Sequence, residues 1–320
     1  ALIGAEVRRY DNGWHVTHID QGGPADIGGL KPGDALVALN GLVVDSTTTQ
    51  IDQLLNGSLG SSLSITYDRL GRINEALLIR EKRTKSPVVF SGLADPTTGY
   101  IALEAFTNTT TTDTKKALYE LKKQGATSLI LDLRGNPGGL LSEAVNMVGL
   151  FVPKGTLVTY TKSVVEEYNI SYTTNTSPVD LNIPVVVLIN GRSASASEIV
   201  SGALQDLDRA VVIGGRSFGK GLVQRPKKLS YGTQFKVTIS RYYTPSGRCI
   251  QALDYWNRDE NGDPVKTLPK NYSAFQTKGG RTVYDGGGVL PDVVLSSSDF
   301  SPITTALLKT TAVLDFGAAY

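Results

Sequence analysis

At 320 residues the chain exceeds a typical single domain of roughly 100 to 200 residues, and its 40% hydrophobic and 19% charged content excludes disorder of the whole chain. A net charge of +2, from 32 basic against 30 acidic residues, provides no field that would draw it onto nucleic acid or an anionic membrane. The single cysteine, Cys249, excludes an internal disulfide and a cysteine-built metal cluster, and no stretch reaches the roughly 18 apolar residues of a spanning helix. The N-terminus lacks the basic start and apolar core of a secretory signal. It opens at Ala1-Leu2-Ile3-Gly4, straight into strand pattern, which reads as the end left after removal of a leader.

Up to about Lys82, short apolar runs alternate with glycine turns. Trp14 to Ile19 and Ala35 to Leu39 read as strands, separated by Gly22-Gly23-Pro24-Ala25 and closed by Asn40-Gly41. One helix is expected over Thr49 to Leu55, with Ile51, Leu54 and Leu55 on one face and Asn56-Gly57 as its cap. Gly23-Pro24-Ala25, Gly29-Leu30-Lys31-Pro32-Gly33-Asp34 and Asn40-Gly41 together resemble the bacterial PDZ signature. That resemblance implies strand addition of an extended C-terminus, with its carboxylate received by the loop Leu2, Ile3, Gly4 and Ala5 and its groove against the Thr49 to Leu55 helix.

Thr84-Lys85-Ser86-Pro87 reads as a linker, so a domain over residues 1–84 is expected, followed by a second over 85–320. In the second, strands over Tyr100 to Ala105, Ser128 to Leu133, Pro184 to Ile189 and Ala210 to Ile213 alternate with helices over Thr114 to Lys123, Ser142 to Phe151 and Ser195 to Leu207. That order predicts an α/β fold. Lys162 to Asp180 and Asn257 to Thr282 read as polar surface loops, the latter with turn chemistry at Asn261-Gly262-Asp263-Pro264.

The chemistry concentrates between Val185 and Gln224. The apolar run Val185 to Ile189 delivers the chain through Asn190-Gly191-Arg192 to Ser193-Ala194-Ser195-Ala196-Ser197-Glu198 at a helix start, where free N–H groups favour negative charge. A serine there is a nucleophile candidate, and a serine hydroxyl needs a base. His15 and His18, the two histidines, lie on a first-domain strand far from this turn; ordinary surface or half-buried positions are the expectation for both. Lysine remains: Lys220 sits between Gly219 and Gly221, which let the backbone bend and approach closely. To act as a base its pKa must fall from about 10.4 to roughly 7 to 8, the usual means being burial.

Ser-Ala-Ser-Ala-Ser-Glu-Ile, Gly-Ala-Leu-Gln-Asp and Phe-Gly-Lys-Gly-Leu-Val-Gln are similar to the C-terminal processing peptidases, a serine peptidase family, and the likeness covers most of residues 88 to 296. The resemblance implies Ser195 as nucleophile, Lys220 as base and Gln224 as the group completing the site. An amide oxygen orients a lysine without stabilising its ammonium form. Contact across four extended residues, roughly 13 Å, requires that segment to bend. One oxyanion donor follows as the Ala196 N–H, next to the nucleophile; by resemblance the second is the Gly139 N–H, in Asp132-Leu133-Arg134-Gly135-Asn136-Pro137-Gly138-Gly139. The family further implies a spiral crotonase-like core, a protein or peptide substrate with an apolar C-terminus, no metal or cofactor, and export to the periplasm or cell envelope. A helical segment usually precedes the PDZ domain and is missing here, so the oligomeric state stays open.

Taken alone, each residue has a plainer role. Ser193, Ser195 or Ser197 caps a helix, Lys220 is solvated, Gln224 is a strand residue, and Glu198 serves a capping box with Ser195. Glu198 and Asp206 are therefore left out of the catalysis, and Asp132 with Arg134 braces a turn through an ion pair as readily as it reacts. Gly22-Gly23 and Gly286-Gly287-Gly288 are turns, lacking the context of a nucleotide cradle. Two rivals are a silent PDZ-based scaffold, which requires Ser195 and Lys220 far apart or unreactive, and a crotonase-like acyl-CoA enzyme, which needs neither the lysine nor the PDZ domain.

Overall fold

Short alternating runs between positive-φ glycines give the first 80 residues a sheet rather than a helical bundle. The structure, a computed structural model, describes residues 3–82, 86–295 and 300–319. Its first strands are β1 (Ala5–Tyr10), β2 (Gly13–Ile19), β3 (Ala35–Leu39), β4 (Leu42–Val43), β5 (Ser62–Arg69) and β6 (Arg72–Ile79), with short helices α1 (Pro24–Ile27) and α2 (Ile51–Leu55). The sheet runs β1-β2-β3-β5-β6, with β4 paired to β3, so β1 is an edge. Val16, Leu36, Leu39, Leu63, Ile65 and Leu78 fill a core with Leu30 and Ile51. Helix α2 is shorter than expected: Asp45 collects hydrogen bonds from Thr47 and Thr48 in a turn before it, and Asn56 ends it in extended rather than left-handed conformation.

The chain separates into two compact units, residues 1–85 with 298–320, and residues 86–297. The sequence reading kept 298–320 with the second domain; here α7 (Ala312–Ala319), which follows α6 (Pro302–Lys309), packs on the Gly33 turn of the first unit. Gly33 has φ +100, and a Cβ on it would lie 2.9 Å from Ala318 Cβ. Of the expected linker, Thr84 and Lys85 lie outside the described residues.

The second unit alternates as its sequence predicts. In chain order it holds β7 (Val88–Asp95), β8 (Thr98–Leu103), α3 (Thr110–Lys123), β9 (Ser128–Asp132), α4 (Leu141–Val148), β10 (Leu157–Lys162), β11 (Ser171–Thr173), β12 (Val185–Ile189), α5 (Ala196–Asp206) and β13 (Val211–Gly214). There follow β14 (Leu222–Lys228), β15 (Gln234–Tyr243), β16 (Leu253–Arg258), β17 (Pro264–Lys266), β18 (Ala274–Gln276), β19 (Thr282–Tyr284) and β20 (Val293–Val294). Strands β20, β13, β12, β9 and β8 run parallel, and β7 closes the sheet antiparallel to β8. A separate antiparallel sheet has the order β11-β10-β15-β14. Helix α3 begins a turn earlier than expected because Thr110 Oγ accepts from the Thr107 N–H, and α4 stops at Val148, earlier than expected. The two expected loops carry strands: β11 within 162–180, and the hairpins β16-β17 and β18-β19 across 257–282.

Val185, Val187 and Ile189 point from β12 into the core between its parallel neighbours. Burial of such a side chain contributes about 1.5 to 3 kcal/mol. Every residue of α5 is buried, Glu198 and Asp206 included; Asp206 is paired with the equally buried Arg248 at 2.8 Å. The consequence for function lies at the strand ends. The Asp132–Gly139 turn, the Asn190–Ser195 turn and the Gly215–Gly221 segment leave the carboxyl ends of three adjacent parallel strands, β9, β12 and β13, the end where open α/β sheets bind ligands.

Candidate active site

The three serines before α5 are used differently. Ser193 is buried, donates to Leu133 O at 2.7 Å and accepts from Asn190 N–H at 2.9 Å. Ser197 is buried and donates to Asn136 O at 3.0 Å. Ser195 is half-buried and sits at φ 56°, ψ −113°, a conformation a non-glycine residue adopts at a cost of about 1 to 3 kcal/mol. It is the residue that turns the chain from β12 into α5, with Ala196 the first residue of the helix.

The glycine-rich turn after β9 presses against this corner. Gly138 has φ +98°, and a Cβ placed on it would meet Ala194 O at 2.6 Å, Ala196 N at 2.8 Å and Ser195 Cβ at 2.8 Å. Gly139, at φ +149°, comes against Phe106, where a Cβ would lie 2.1 Å from the carbonyl oxygen. Phe106 N–H donates to Gly138 O and Leu140 N–H to Phe106 O; these bonds hold the turn and leave the Gly139 amide outside their set. Asn136 secures the turn from within, donating to Leu103 O at 2.8 Å and accepting from the Gly138 N–H at 2.9 Å. At its start Asp132 pairs with Arg134 at 2.7 Å, the bracing role considered for them. Burial opposes ionisation of Asp132, but bonds from Arg134 and Tyr100 outweigh it and hold the carboxyl below its usual range.

Lys220 is half-buried, and its two glycine neighbours make the close approaches that their type permits. A Cβ on Gly219 (φ +88°) would lie 2.3 Å from Ala252 Cβ, and one on Gly221 would lie 2.8 Å from Gln251 N. The segment is hydrogen-bonded there, Gly221 N–H to Gln251 Oε1 at 2.7 Å and Ala252 N–H to Gly219 O at 2.9 Å.

Glu198 joins the two segments. Its Oε2 accepts the Ser195 N–H at 2.8 Å and the Lys220 N–H at 2.9 Å; its Oε1 accepts the Gly219 N–H at 2.7 Å and the Ser217 hydroxyl at 2.5 Å. Burial pushes this carboxyl upward, against the pull of the four donors. The capping bond to Ser195 is the one expected from sequence; the three bonds to residues 217, 219 and 220 are not legible there, since they cross some 20 residues to another strand end. Tyr242, on β15, is a second residue that sequence reasoning missed. Its hydroxyl donates to Lys220 O, with Ser195 O 3.3 Å away.

Gln224 lies on β14 opposite Thr238, just after a bulge at Val223, and is exposed. With Leu222, Ile239, Arg241 and Trp256 it lines a cleft of about 800 Å³. Among the described residues no hydrogen bond joins Gln224 to Lys220, so the required bend is supplied only in part by the bulge.

In the first unit Ile3, Gly4 and Ala5 form the entry to β1, and Leu2 lies outside the described residues. Ile3 O accepts the Ala25 N–H at 2.8 Å and Gly4 O the Asp20 N–H at 2.9 Å. Beside the β1 edge a cavity of about 320 Å³ is lined by Ile3, Ala5, Glu6, Val7, Asp52, Leu55 and Asn56, the last three from α2 and its end. Of the histidines, His15 is buried against Tyr10, more deeply than expected, and His18 is exposed beside Asp20. Among the described residues no group of three or more His, Cys, Asp or Glu is arranged to hold a metal, and no helix is long and apolar enough to cross a membrane.

Comparison with known proteins bears on the family and the fold. The model of peptidase family S41 matches residues 97–255, and that of a PDZ domain residues 15–69. The chloroplastic C-terminal processing peptidase of Tetradesmus obliquus is 36% identical over 72% of this chain and 53% of its own length. The carboxy-terminal processing protease CtpA of Bacillus subtilis (strain 168) is 34% identical over 78% of this chain and 53% of its own. The chain thus spans about half the length of these relatives. A crystal structure of a Bacteroides fragilis NCTC 9343 protein assigned as an S41 protease shares the fold, with a TM-score of 0.58 at 18% identity, covering 99% of this chain and 82% of that one. With a PDZ domain ahead of an α/β peptidase core, the chain belongs to peptidase family S41, among the C-terminal processing peptidases.

Proposed function

We propose that the protein is a serine endopeptidase of the C-terminal processing type that acts through Ser195 and Lys220 on protein substrates with an apolar C-terminus. The observation that carries this reading is the shared attachment of the Ser195 and Lys220 amides to one oxygen of Glu198, which brings two segments of distant sequence to one corner. The Ser195 hydroxyl attacks the scissile carbonyl carbon as the Lys220 amine takes its proton. The Ala196 and Gly139 amides receive the oxyanion. Collapse breaks the C–N bond, and Lys220 returns the proton to the departing amine. Water then attacks the acyl ester with Lys220 again as base, releasing the acid and restoring Ser195. Gln224, four residues beyond Lys220 on the wall of the β14 cleft, turns toward the lysine and orients it once substrate is seated.

The first unit supplies recognition. The free edge of β1 offers backbone groups to an added strand, the Ile3-Gly4-Ala5 entry faces the terminal carboxylate, and the cavity beside α2 takes the terminal side chain. Export to the periplasm or cell envelope belongs to the same proposal and rests on the family resemblance. The test is cleavage of an unfolded protein with an apolar C-terminus by the parent chain, Ser195→Ala and Lys220→Ala. Loss of cleavage in both folded variants is the expected result; undiminished cleavage by either overturns the assignment.

A further inference from the structure

A buried phenol needs an acceptor, and Tyr242, 2% exposed, finds it in the backbone of one candidate reacting residue, Lys220 O, with that of the other, Ser195 O, 3.3 Å from the same hydroxyl. The amides of the same two residues donate to Glu198. Both residues are therefore tied through their N–H groups to a buried carboxylate, and Lys220 also through its C=O to a buried phenol, whose oxygen lies 3.3 Å from Ser195 O. A conformation such as that of Ser195 persists only where the surroundings over-determine it, and these bonds do so. Tyr242 is anchored in turn: its own N–H donates to Gly221 O at 3.0 Å, and β15 pairs with β14 from Leu222 onward. Burial first, and the charge of Glu198 second, keep the phenol proton in place well above the ordinary tyrosine range, so the donor is present throughout working pH.

We propose that Tyr242 and Glu198 form a clamp of positioning residues, fixing the backbone from which the Ser195 hydroxyl and the Lys220 amine project without either touching substrate. The inference rests on the reading of Ser195 as nucleophile and Lys220 as base. A displacement of about 1 Å at a reacting group costs up to about 100-fold in rate, so the clamp should be visible in the chemical step rather than in binding.

The experiment measures the rate at which an alkyl fluorophosphonate labels Ser195 in the parent, Tyr242→Phe, Glu198→Gln and Ser195→Ala, across pH 5 to 10, with rates divided by the folded fraction from urea unfolding. kcat and KM on a peptide substrate are measured alongside. Labelling about tenfold or more slower per folded molecule in Tyr242→Phe and Glu198→Gln, with a displaced pH midpoint and KM within about threefold, is expected. Rates and pH profile within twofold of the parent in either variant overturn the clamp, and the Glu198→Gln arm decides if Tyr242→Phe does not fold. Labelling that survives in Ser195→Ala overturns the nucleophile assignment itself and the clamp with it. Loss there beside parent-like Tyr242→Phe overturns the clamp alone.

Discussion

Gly138 lies so close to Ser195 that a methyl group on its Cα would sit 2.8 Å from the serine Cβ. The contact is made at φ +98°, where a side chain is strained in any case, and the nearest atoms are backbone that cannot swing aside. Gly138→Ala should therefore push the Asp132–Gly139 turn and the Ser195 corner apart. The expected outcome is loss of at least about 100-fold in kcat/KM and about 2 to 4 kcal/mol of stability, read from peptide cleavage and urea unfolding.

The same turn begins at the Asp132–Arg134 pair, and its pH response has a definite sign. The Asp132 carboxyl is held below its ordinary value of 3.8, so its contribution to stability is present above that value and is lost as pH falls through the lowered one. Asp132→Asn lacks this contribution at every pH. Thermal unfolding from pH 6 to pH 2 should show the parent more stable by a constant margin above about pH 5, with the gap closing progressively below pH 4. A gap unchanged down to pH 2 would remove the pair from any role in bracing the turn.

What the sequence makes legible is local. Glycines at 219 and 221 announce a close approach of backbone, and they make one; the apolar alternation of Val185 to Ile189 announces a buried strand, and the strand is central. The capping relation of Ser195 with Glu198 is likewise a pattern of four consecutive residues. The remaining bonds of Glu198 and both bonds of Tyr242 join segments 19 to 47 positions apart. No spacing rule encodes such pairs, because they arise only when the ends of the parallel strands and β15 of the antiparallel sheet meet in the folded chain. The helices at 302–319 are absent from the sequence reading, and the packing of the second on the Gly33 turn depends on the return of the chain to its first unit.

Ala5 lines the cavity of about 320 Å³ beside β1 and, half-buried, also packs against the edge of the first unit's core. An indole at this point occupies the room that a terminal apolar side chain needs. Ala5→Trp should weaken binding of a fluorescein-labelled peptide with a free apolar C-terminus by at least about tenfold in fluorescence anisotropy, with stability within about 1 kcal/mol of the parent. Fluorophosphonate labelling of Ser195 should be unaffected in the absence of peptide. Parent-like peptide affinity would move the tail-binding site away from the β1 edge.

Ser193, Ser195 and Ser197 share one short stretch, and their surroundings assign them different costs on mutation. Ser193→Ala leaves the Asn190 amide without its partner and takes one of two donors from the Leu133 carbonyl, which keeps the Asn136 N–H, while Ser197→Ala takes one of two donors from the Asn136 carbonyl, which keeps the Ala194 N–H. Leaving a polar group unsatisfied costs about 1 to 3 kcal/mol, so Ser193→Ala should lose that much in urea unfolding, and Ser197→Ala, whose acceptor keeps one donor, about 0.5 to 1.5 kcal/mol. The variants that fold should still react with fluorophosphonate, since neither hydroxyl is at the strained corner. Ser195→Ala should show the converse, with no labelling and a change of less than about 1 kcal/mol in stability. Labelling that vanished in a folded Ser193→Ala or Ser197→Ala instead would move the nucleophile along the stretch, and with it the oxyanion donor, from the Ala196 amide to that of the next residue.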